Sequence, residues 1–153
     1  NSLELRKQIQ QLNPGVDVIE CCHMPRFLRN VYTDEQIPLE WLQGKRVAAL
    51  SGIAVPQSFE NSLRAMGAAL ISFERYADHH RYQAQEIIDA INKAHKLGAE
   101  ALITTEKDAV RFPKLNRTAV PVYYLRVDIE ILAGANSFID AIDRILGKID
   151  EKK

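Results

Sequence analysis

Residues 46–56, RVAALSGIAVP, combine a short apolar strand, a turn and the start of a helix. Residues 47–50 form the apolar run, and Gly52 allows the chain to turn tightly after it. Pro56 suits the first position of a helix, and Gly67 marks the end of that helix. The segment therefore predicts one strand–turn–helix unit of an α/β fold.

Strand and helix patterns continue to alternate after this unit. The sequence predicts strands over 69–76, 101–104 and 120–127, a helix over 84–97, a short helix from about Glu106 and a last helix capped by Ser137. Strands that alternate with helices are typical of a parallel sheet covered on both faces. The sequence thus predicts a Rossmann-like, three-layer α/β/α fold with a mostly parallel sheet of about five strands.

The ends of the chain are less regular. For the last helix we expect a buried face made of Phe138, Ile142, Ile145 and Ile149. Before residue 46 the patterns predict a short amphipathic helix over 3–12, a strand over 16–23 and a long crossover with one helical turn over 24–45. We interpret residues 1–153 as one α/β domain, with an N-terminal helix, strand and crossover over 1–45, regular βα repeats over 46–148 and a tail over 149–153.

Composition narrows the class of protein. The 153 residues are 46% hydrophobic and 26% charged, which is typical of a soluble globular domain. Lys+Arg and Asp+Glu are both 20, and this balance argues against a general nucleic-acid binder. Cys21 and Cys22 are neighbours in a predicted strand and point to opposite faces, so we expect structural thiols and a reducing cytoplasm. Since the chain begins at Asn1, we also expect a piece of a longer protein.

Residues 76–82, YADHHRY, place two adjacent histidines after a carboxylate at a predicted strand end. Right-handed crossovers bring all βα turns to one edge of the sheet, which is where ligands bind. Asp78 is suited to orient or charge His79 or His80 near neutral pH, as in a general base or a phosphate contact. A helix cap alone would need only one Asp or Asn.

Residues 104–108, TTEKD, follow the next strand and supply a second group of candidates. Thr105 and Asp108 have the spacing of a capping box with Asp in place of Glu. The N–H groups at a helix start also favour anions, and Lys107 adds a positive charge nearby. We expect one crevice to be lined by the turns over 51–56, 77–82, 104–108 and 128–136.

A further stretch alternates basic and aromatic residues, namely Arg26, Phe27, Arg29 and Tyr32. It suits either a phosphate, membrane or domain contact, or a solvated linker with buried aromatic rings.

Phosphoryl transfer needs a phosphate cradle and a metal site, and a P-loop ends in Gly-Lys-Ser/Thr. The pairs Gly44-Lys45 and Gly147-Lys148 are not followed by Ser or Thr. A lone kinase is therefore excluded, and the crevice looks like half of a cleft.

Four ordered motifs together resemble the C-terminal part of the bacterial tetraacyldisaccharide 4'-kinase family, the lipid A 4'-kinases. The resemblance covers about residues 23–127. The sequence departs from the family pattern at Val55, where a polar residue is often expected. The motifs are Ser51-Gly52-Ile53 with Pro56 and Phe59, Leu63 with Met66-Gly67, Asp78-His79-His80 with Tyr82, and residues 104–110.

The resemblance implies a two-lobed kinase on the cytoplasmic face of the inner membrane. The other, N-terminal lobe would carry the P-loop and bind most of the ATP and Mg2+, and this chain would hold no metal ion. The kinase would transfer the γ-phosphate of ATP to the 4'-hydroxyl of tetraacyldisaccharide 1-phosphate in lipopolysaccharide biosynthesis. The chain alone would be inactive, and it would not bind nucleic acid.

The resemblance also implies roles for individual residues. Asp78 would orient, and His79 would assist a carboxylate of the other lobe in activating the sugar hydroxyl. Tyr82 would pack or shape the loop. Residues expected near substrate or nucleotide are His80, Ser51, Gly52, Thr104, Thr105, Glu106, Lys107 and Asp108.

Two alternatives stay open on the residues themselves. One is a stand-alone nucleotide- or phosphate-binding or regulatory module that kept the fold and lost the kinase. The other is a metal-dependent phosphoesterase that uses Asp78, His79 and His80 to bind manganese. Such sites need further carboxylates, usually as Asp-x-Asp, and the nearest approach to that pattern is residues 128–130, DIE.

Overall fold

The computed structural model of the chain describes residues 2–150, and within them leaves aside the side chains of residues 2, 133, 135, 137, 138, 141 and 148–150. Helices and strands alternate over most of this range. A 3₁₀ helix spans Leu39–Leu42. The other elements are α1 Ser2–Leu12, β1 Glu20–Asn30, β2 Gln36–Ile37, β3 Arg46–Ser51, α2 Pro56–Ala65, β4 Ala69–Arg75, α3 Ala84–Lys96, β5 Ala101–Thr105, α4 Glu106–Ala109, β6 Val122–Ala133 and α5 Ala135–Asp150.

The strands form one six-stranded sheet in the order β2-β1-β6-β5-β3-β4. Strand β3 lies between β4 and β5 and pairs with both in parallel, and β5 pairs in parallel with β6. The edge strand β2 pairs with β1 in the antiparallel direction. The predicted α/β class and mostly parallel sheet are therefore confirmed, with six strands instead of about five.

Helices α2 and α3 cover opposite faces of the sheet. Val47 of β3 and Leu63 of α2 belong to one cluster of buried side chains, and Ala48 and Ile91 of α3 belong to the other. Successive residues of a strand point to opposite faces, so β3 serves both clusters. A strand buried on both faces has a continuous apolar run, which is the pattern of residues 47–50.

The interpretation of residues 16–45 is wrong in its details. Strand β1 starts later than predicted and continues through Pro25, and Ile37 of β2 pairs with Leu28 where the crossover was expected. The side-chain oxygen of Asn30 accepts the N–H groups of Tyr32 and Thr33, which makes the turn between the two strands. The predicted strand is confirmed over residues 20–23, and the predicted helical turn is confirmed as the 3₁₀ helix.

The C-terminal predictions also need correction. Strand β6 runs past residue 127, and α5 begins at Ala135, so that Ser137 lies inside the helix and does not cap it. Ile142 and Ile145 were expected to be buried, yet they are 40% and 60% exposed. The side chains of Phe138 and Ile149 lie outside the described residues.

The chain divides into two compact units, residues 1–24 with 129–153, and residues 25–128. In the first unit, Arg144 of α5 forms an ion pair with Asp17 at 3.2 Å. The second unit contains strands β2 to β5 with α2 to α4, and therefore most of the regular βα repeats. No helix among residues 2–150 is long and apolar enough to cross a membrane. The interpretation as a single domain stays a prediction.

Candidate functional site

The turns after β3, β4 and β5 meet at the carboxylate of Asp108, which is fully buried. Its Oδ2 accepts the Gly52 N–H at 3.0 Å and the Thr105 hydroxyl at 2.6 Å. Its Oδ1 accepts the Tyr82 hydroxyl at 3.0 Å and Nη2 of Arg111 at 2.9 Å. Three of the four turns expected to line one crevice are therefore brought together, because parallel strands end at the same sheet edge.

The fourth expected turn, over 128–136, is not one, because β6 continues through most of it. Asp128 instead pairs with Arg26 at 3.1 Å and with Arg126 at 3.3 Å. Arg126 in turn donates to Glu106 at 2.6 Å. Glu106 is therefore engaged by an arginine of β6, and this charged row connects the start of α4 to β1.

Thr105 confirms the predicted cap of α4. Its hydroxyl oxygen accepts the Asp108 N–H at 3.1 Å, and the same hydroxyl donates to the Asp108 carboxylate. Thr104 and Ser51, at the ends of their strands, are buried. The Thr104 hydroxyl has no hydrogen-bond partner among the described residues. Both residues thus lie beneath the sheet edge and not on its surface.

Gly52 is required by a close approach of three groups. A Cβ added there would lie 2.7 Å from the Tyr82 hydroxyl, 3.0 Å from the Ala77 carbonyl oxygen and 3.2 Å from Oδ1 of Asp108. Cβ atoms in proteins almost never come closer than 3.0 Å to another heavy atom. The distance to the Tyr82 hydroxyl is below this limit, and the distance to the Ala77 carbonyl oxygen is at it. The glycine therefore admits the protein's own loop 77–82 to the turn after β3.

Asp78 is held as an anion by its neighbour on α4. Its Oδ1 accepts Nζ of Lys107 at 2.8 Å, and Nε2 of His79 lies 3.6 Å from Oδ2. The hydrogen bond from Lys107 lowers the pKa of the Asp78 carboxyl, against an opposing effect of desolvation, and the positive charge of a protonated His79 lowers it further. Asp78 is consequently ionised at neutral pH.

His79 projects its imidazole into solvent. Its backbone φ is 61°, in the left-handed region, and its side chain is 74% exposed. Such a conformation costs a residue other than glycine roughly 1–2 kcal/mol, so the surrounding loop must hold it. The His80 N–H donates to the Ala77 carbonyl at 3.0 Å and closes the turn that carries His79.

His80 turns away from this pair. Its Nε2 lies 3.0 Å from Oε2 of Glu86, and its ring stands 4.6 Å from the ring of Tyr76 and 5.0 Å from that of Tyr82, centroid to centroid. The imidazole is therefore part of the packing between the loop and α3. Asp78, His79 and His80 do not converge on a common point.

Two residues of this site were missed in the sequence. Arg111 bonds Asp108 through Nη2 and the His80 carbonyl through Nη1, at 2.9 and 3.2 Å. Its signal is the spacing of three residues from Asp108, which brings the two side chains together in the turn that follows α4. Glu86 accepts the Gln83 N–H at 2.8 Å and completes a capping box at the start of α3. The pattern of Gln followed three residues later by Glu is the sequence signal for this capping box.

Residues 26–32 belong to β1 and its hairpin, not to a solvated linker. The Arg29 guanidinium lies 5.1 Å from the Phe27 ring centroid and donates to Gln36. Burial raises the pKa of Tyr32 to about 12. Cys21 is exposed and Cys22 is half-buried, and both are free thiols.

The residues described by the structure contain no group of three or more His, Cys, Asp or Glu side chains placed to hold a metal ion. The histidines proposed as manganese ligands are separated, because His80 is paired with Glu86 and His79 lies beside Asp78. Lys107, which bonds Asp78, adds positive charge where a cation would have to sit.

Replacing Lys107 with methionine is expected to raise the pKa of the Asp78 carboxyl towards its ordinary value. The folded-state pKa is depressed in the native chain, so the stabilisation by this pair is present at neutral pH and is lost as pH falls through that pKa. A ¹³C carboxyl NMR titration of Asp78 measures the shift. Lys96→Met on α3 is the matched control, and an equal shift in both variants would contradict the assignment to Lys107.

The fold and the site together define an open, mostly parallel α/β module with a polar edge at the carboxyl ends of its strands. The model of one protein family, tetraacyldisaccharide-1-P 4'-kinase, matches residues 2–147. The chain therefore belongs to the tetraacyldisaccharide 4'-kinase family. The predicted family resemblance is confirmed, and it extends beyond the expected residues 23–127.

Relatives and a solved structure agree with this membership. Tetraacyldisaccharide 4'-kinases of Anaeromyxobacter sp. (strain K) and Anaeromyxobacter dehalogenans (strain 2CP-C) are 36% and 38% identical over 94% and 88% of the chain. The chain spans only 39% and 36% of their lengths. A crystal structure of LpxK from Aquifex aeolicus in complex with ATP matches 89% of this chain and 40% of its own, with a TM-score of 0.52 and 20% identity, which supports the fold.

Proposed function

We propose that this chain is the C-terminal lobe of a lipid A 4'-kinase, a phosphotransferase acting on an alcohol group. The full-length enzyme would transfer the γ-phosphate of ATP to the 4'-hydroxyl of tetraacyldisaccharide 1-phosphate. Family membership supports the activity, and the relatives' greater length leaves room for an N-terminal P-loop lobe. The observation that carries the proposal is the exposed His79 imidazole beside the ionised Asp78 at the ligand edge of the sheet.

Each group of the pair has a separate task. The Asp78 carboxylate lies 3.6 Å from the His79 imidazole and orients it. His79 assists a carboxylate of the N-terminal lobe in taking the proton from the sugar hydroxyl. The hydroxyl oxygen then bonds to the γ-phosphorus as the bond from that phosphorus to the ADP oxygen breaks.

The phosphate cradle belongs to the N-terminal lobe in this proposal. Mg2+ bound with ATP supplies charge neutralisation to the transferring phosphoryl group. A site divided between two lobes excludes water when the lobes close, and water would otherwise compete with the sugar as acceptor.

The proposal also assigns partners and a location. The chain would pair with the N-terminal lobe of the same protein and would meet the lipid acceptor at the cytoplasmic face of the inner membrane. The full-length protein would sit there as a peripheral protein, in the biosynthesis of lipopolysaccharide.

Transfer of labelled γ-phosphate from magnesium–ATP to the disaccharide acceptor tests the proposal. We expect the full-length protein to phosphorylate the acceptor and the chain of residues 1–153 alone to show no turnover. Magnesium–ATP and the acceptor in buffer without protein are the control for spontaneous hydrolysis. An inactive full-length protein would contradict the kinase assignment and favour a phosphate-binding module, and turnover by the chain alone would contradict the divided site.

A further inference from the structure

The loop that carries Asp78 and His79 is attached to the sheet through one buried carboxylate. We propose that Asp108 is a positioning residue, which holds His79 in its reactive orientation without itself touching substrate. The inference rests on the proposed kinase function. It starts from the four donors on Asp108, which come from the turns after three successive strands and from Arg111.

One connection runs from Asp108 to the loop through Arg111. The guanidinium donates to Asp108 through Nη2 at 2.9 Å and to the His80 carbonyl through Nη1 at 3.2 Å. His80 directly follows His79 in the chain. Holding the His80 carbonyl in place therefore restrains the backbone immediately after His79. Arg111 is largely buried, with 24% of its side chain exposed, and this limits the directions in which it can point.

A second connection runs through Tyr82. Its hydroxyl donates to Asp108 at 3.0 Å, and its ring lies 5.0 Å from the His80 ring and 5.0 Å from that of Phe112. Burial raises the pKa of the Tyr82 hydroxyl above its ordinary value, and the Asp108 carboxylate raises it further, so this group remains a donor. The loop is therefore tied to Asp108 just after His79, by way of two different side chains.

The hydrogen bonds around Asp108 require a carboxylate at this position. Each of the two oxygens of Asp108 accepts two donors, and a buried anion without such donors would be strongly unfavourable. Asparagine has nearly the same shape but offers only one acceptor oxygen, and its NH2 group would face two donors. Either the pair of Gly52 and Thr105 or the pair of Tyr82 and Arg111 would then lose its acceptor.

The conformation of His79 makes this attachment matter for catalysis. Its left-handed backbone is unfavourable on its own, and a loop released from Asp108 would relax towards ordinary φ values. The imidazole would then move away from the hydroxyl that it has to meet. A displacement of this kind lowers kcat, because proximity and orientation set the rate, while the affinity for ATP, bound by the other lobe, stays the same.

The test is a double-mutant cycle in the full-length protein between Asp108→Asn and His79→Ala, read as kcat and as KM for ATP. We expect Asp108→Asn alone to lower kcat by about a hundredfold with little change in KM. In the His79→Ala background, the same change should have almost no further effect on kcat. Tyr82→Phe, which removes one of the four donors, should give a smaller loss with the same dependence on His79 and serves if Asp108→Asn does not fold.

The outcomes separate the inference from the proposed function. The inference would be overturned if Asp108→Asn, or Tyr82→Phe, lowered kcat by the same factor in the native and the His79→Ala backgrounds. Such a result would show that the hydrogen bonds around Asp108 act on general stability. An unchanged kcat in the single variant would overturn it as well. Full activity of His79→Ala would contradict the catalytic assignment on which the inference rests, whereas a large loss there with independent effects at Asp108 would leave that assignment standing.

Discussion

Replacing His79 with alanine is expected to lower the kcat of the full-length protein by about a hundredfold or more, the usual scale for a positioned acid–base group. The imidazole is exposed at the ligand edge of the sheet and lies 3.6 Å from a carboxylate. Alanine removes the imidazole to which the proposed function assigns proton transfer, and the left-handed backbone at this position is unfavourable for both residues. The loss should therefore reflect chemistry more than folding. Single-turnover transfer of labelled phosphate to the disaccharide measures it.

His95→Ala is the matched control for this loss. His95 is also exposed, but it lies near the end of α3, and no hydrogen bond connects it to the loop 77–82 among those described. We expect its kcat to equal that of the native protein and both variants to unfold at similar temperatures. A full rate for His79→Ala would reduce residues 78–80 to a structural loop. Equal losses in the two variants would point to damage outside the site.

Residues 46–109 were largely predictable because their signals are local. The apolar run before Gly52, Pro56 at the helix start and Gly67 at its end are confirmed by β3 and α2. The cap at Thr105 is confirmed for the same reason, since the cap and the helix it starts are neighbours in sequence. Spacing and turn chemistry suffice when an element's boundaries depend on adjacent residues.

The hairpin of β1 and β2 was not predictable in this way. Its turn depends on one side chain, Asn30, and a proline such as Pro25 is more typical of a turn than of a strand interior. Pro25 nevertheless lies inside β1. The amphipathic spacing of α5 likewise predicted a buried face, and Ile145 shows that such a pattern specifies an apolar side without specifying what covers it.

The candidate site shows the same difference between features set by local sequence and features set by contacts between distant residues. Placing Asp78 and His79 at a βα turn required only the order of strands and helices. The four-donor role of Asp108 required contacts with Gly52 and Tyr82, which are 56 and 26 residues away in sequence. Thr105 and Asp108 match a capping pattern, and they form the cap. The local pattern does not predict the hydrogen bonds that the other carboxylate oxygen of Asp108 accepts.

Gly52→Ala is expected to destabilise the chain by about 1–3 kcal/mol, the range for added atoms in a well-packed interior. The new methyl group would lie 2.7 Å from the Tyr82 hydroxyl and 3.0 Å from the Ala77 carbonyl oxygen. Urea unfolding of the chain measures the effect. Gly147→Ala on α5 is the matched control, because nothing lies within 4 Å of a Cβ there and alanine favours a helix by about 1 kcal/mol. We therefore expect opposite signs from the same chemical change.

The double variant Gly52→Ala with Tyr82→Phe shows which contact dominates the cost at residue 52. Tyr82→Phe alone removes a hydrogen bond to a buried carboxylate and should cost about 1–3 kcal/mol. It also removes the oxygen closest to the added methyl group, so the second substitution should cost less in its presence. Any destabilisation by Gly52→Ala that remains in the double variant would come from the Ala77 carbonyl, which is a backbone group and cannot be removed by substitution. Strictly additive free energies of unfolding would mean that this carbonyl, and with it the path of the loop before Asp78, is what requires glycine after β3.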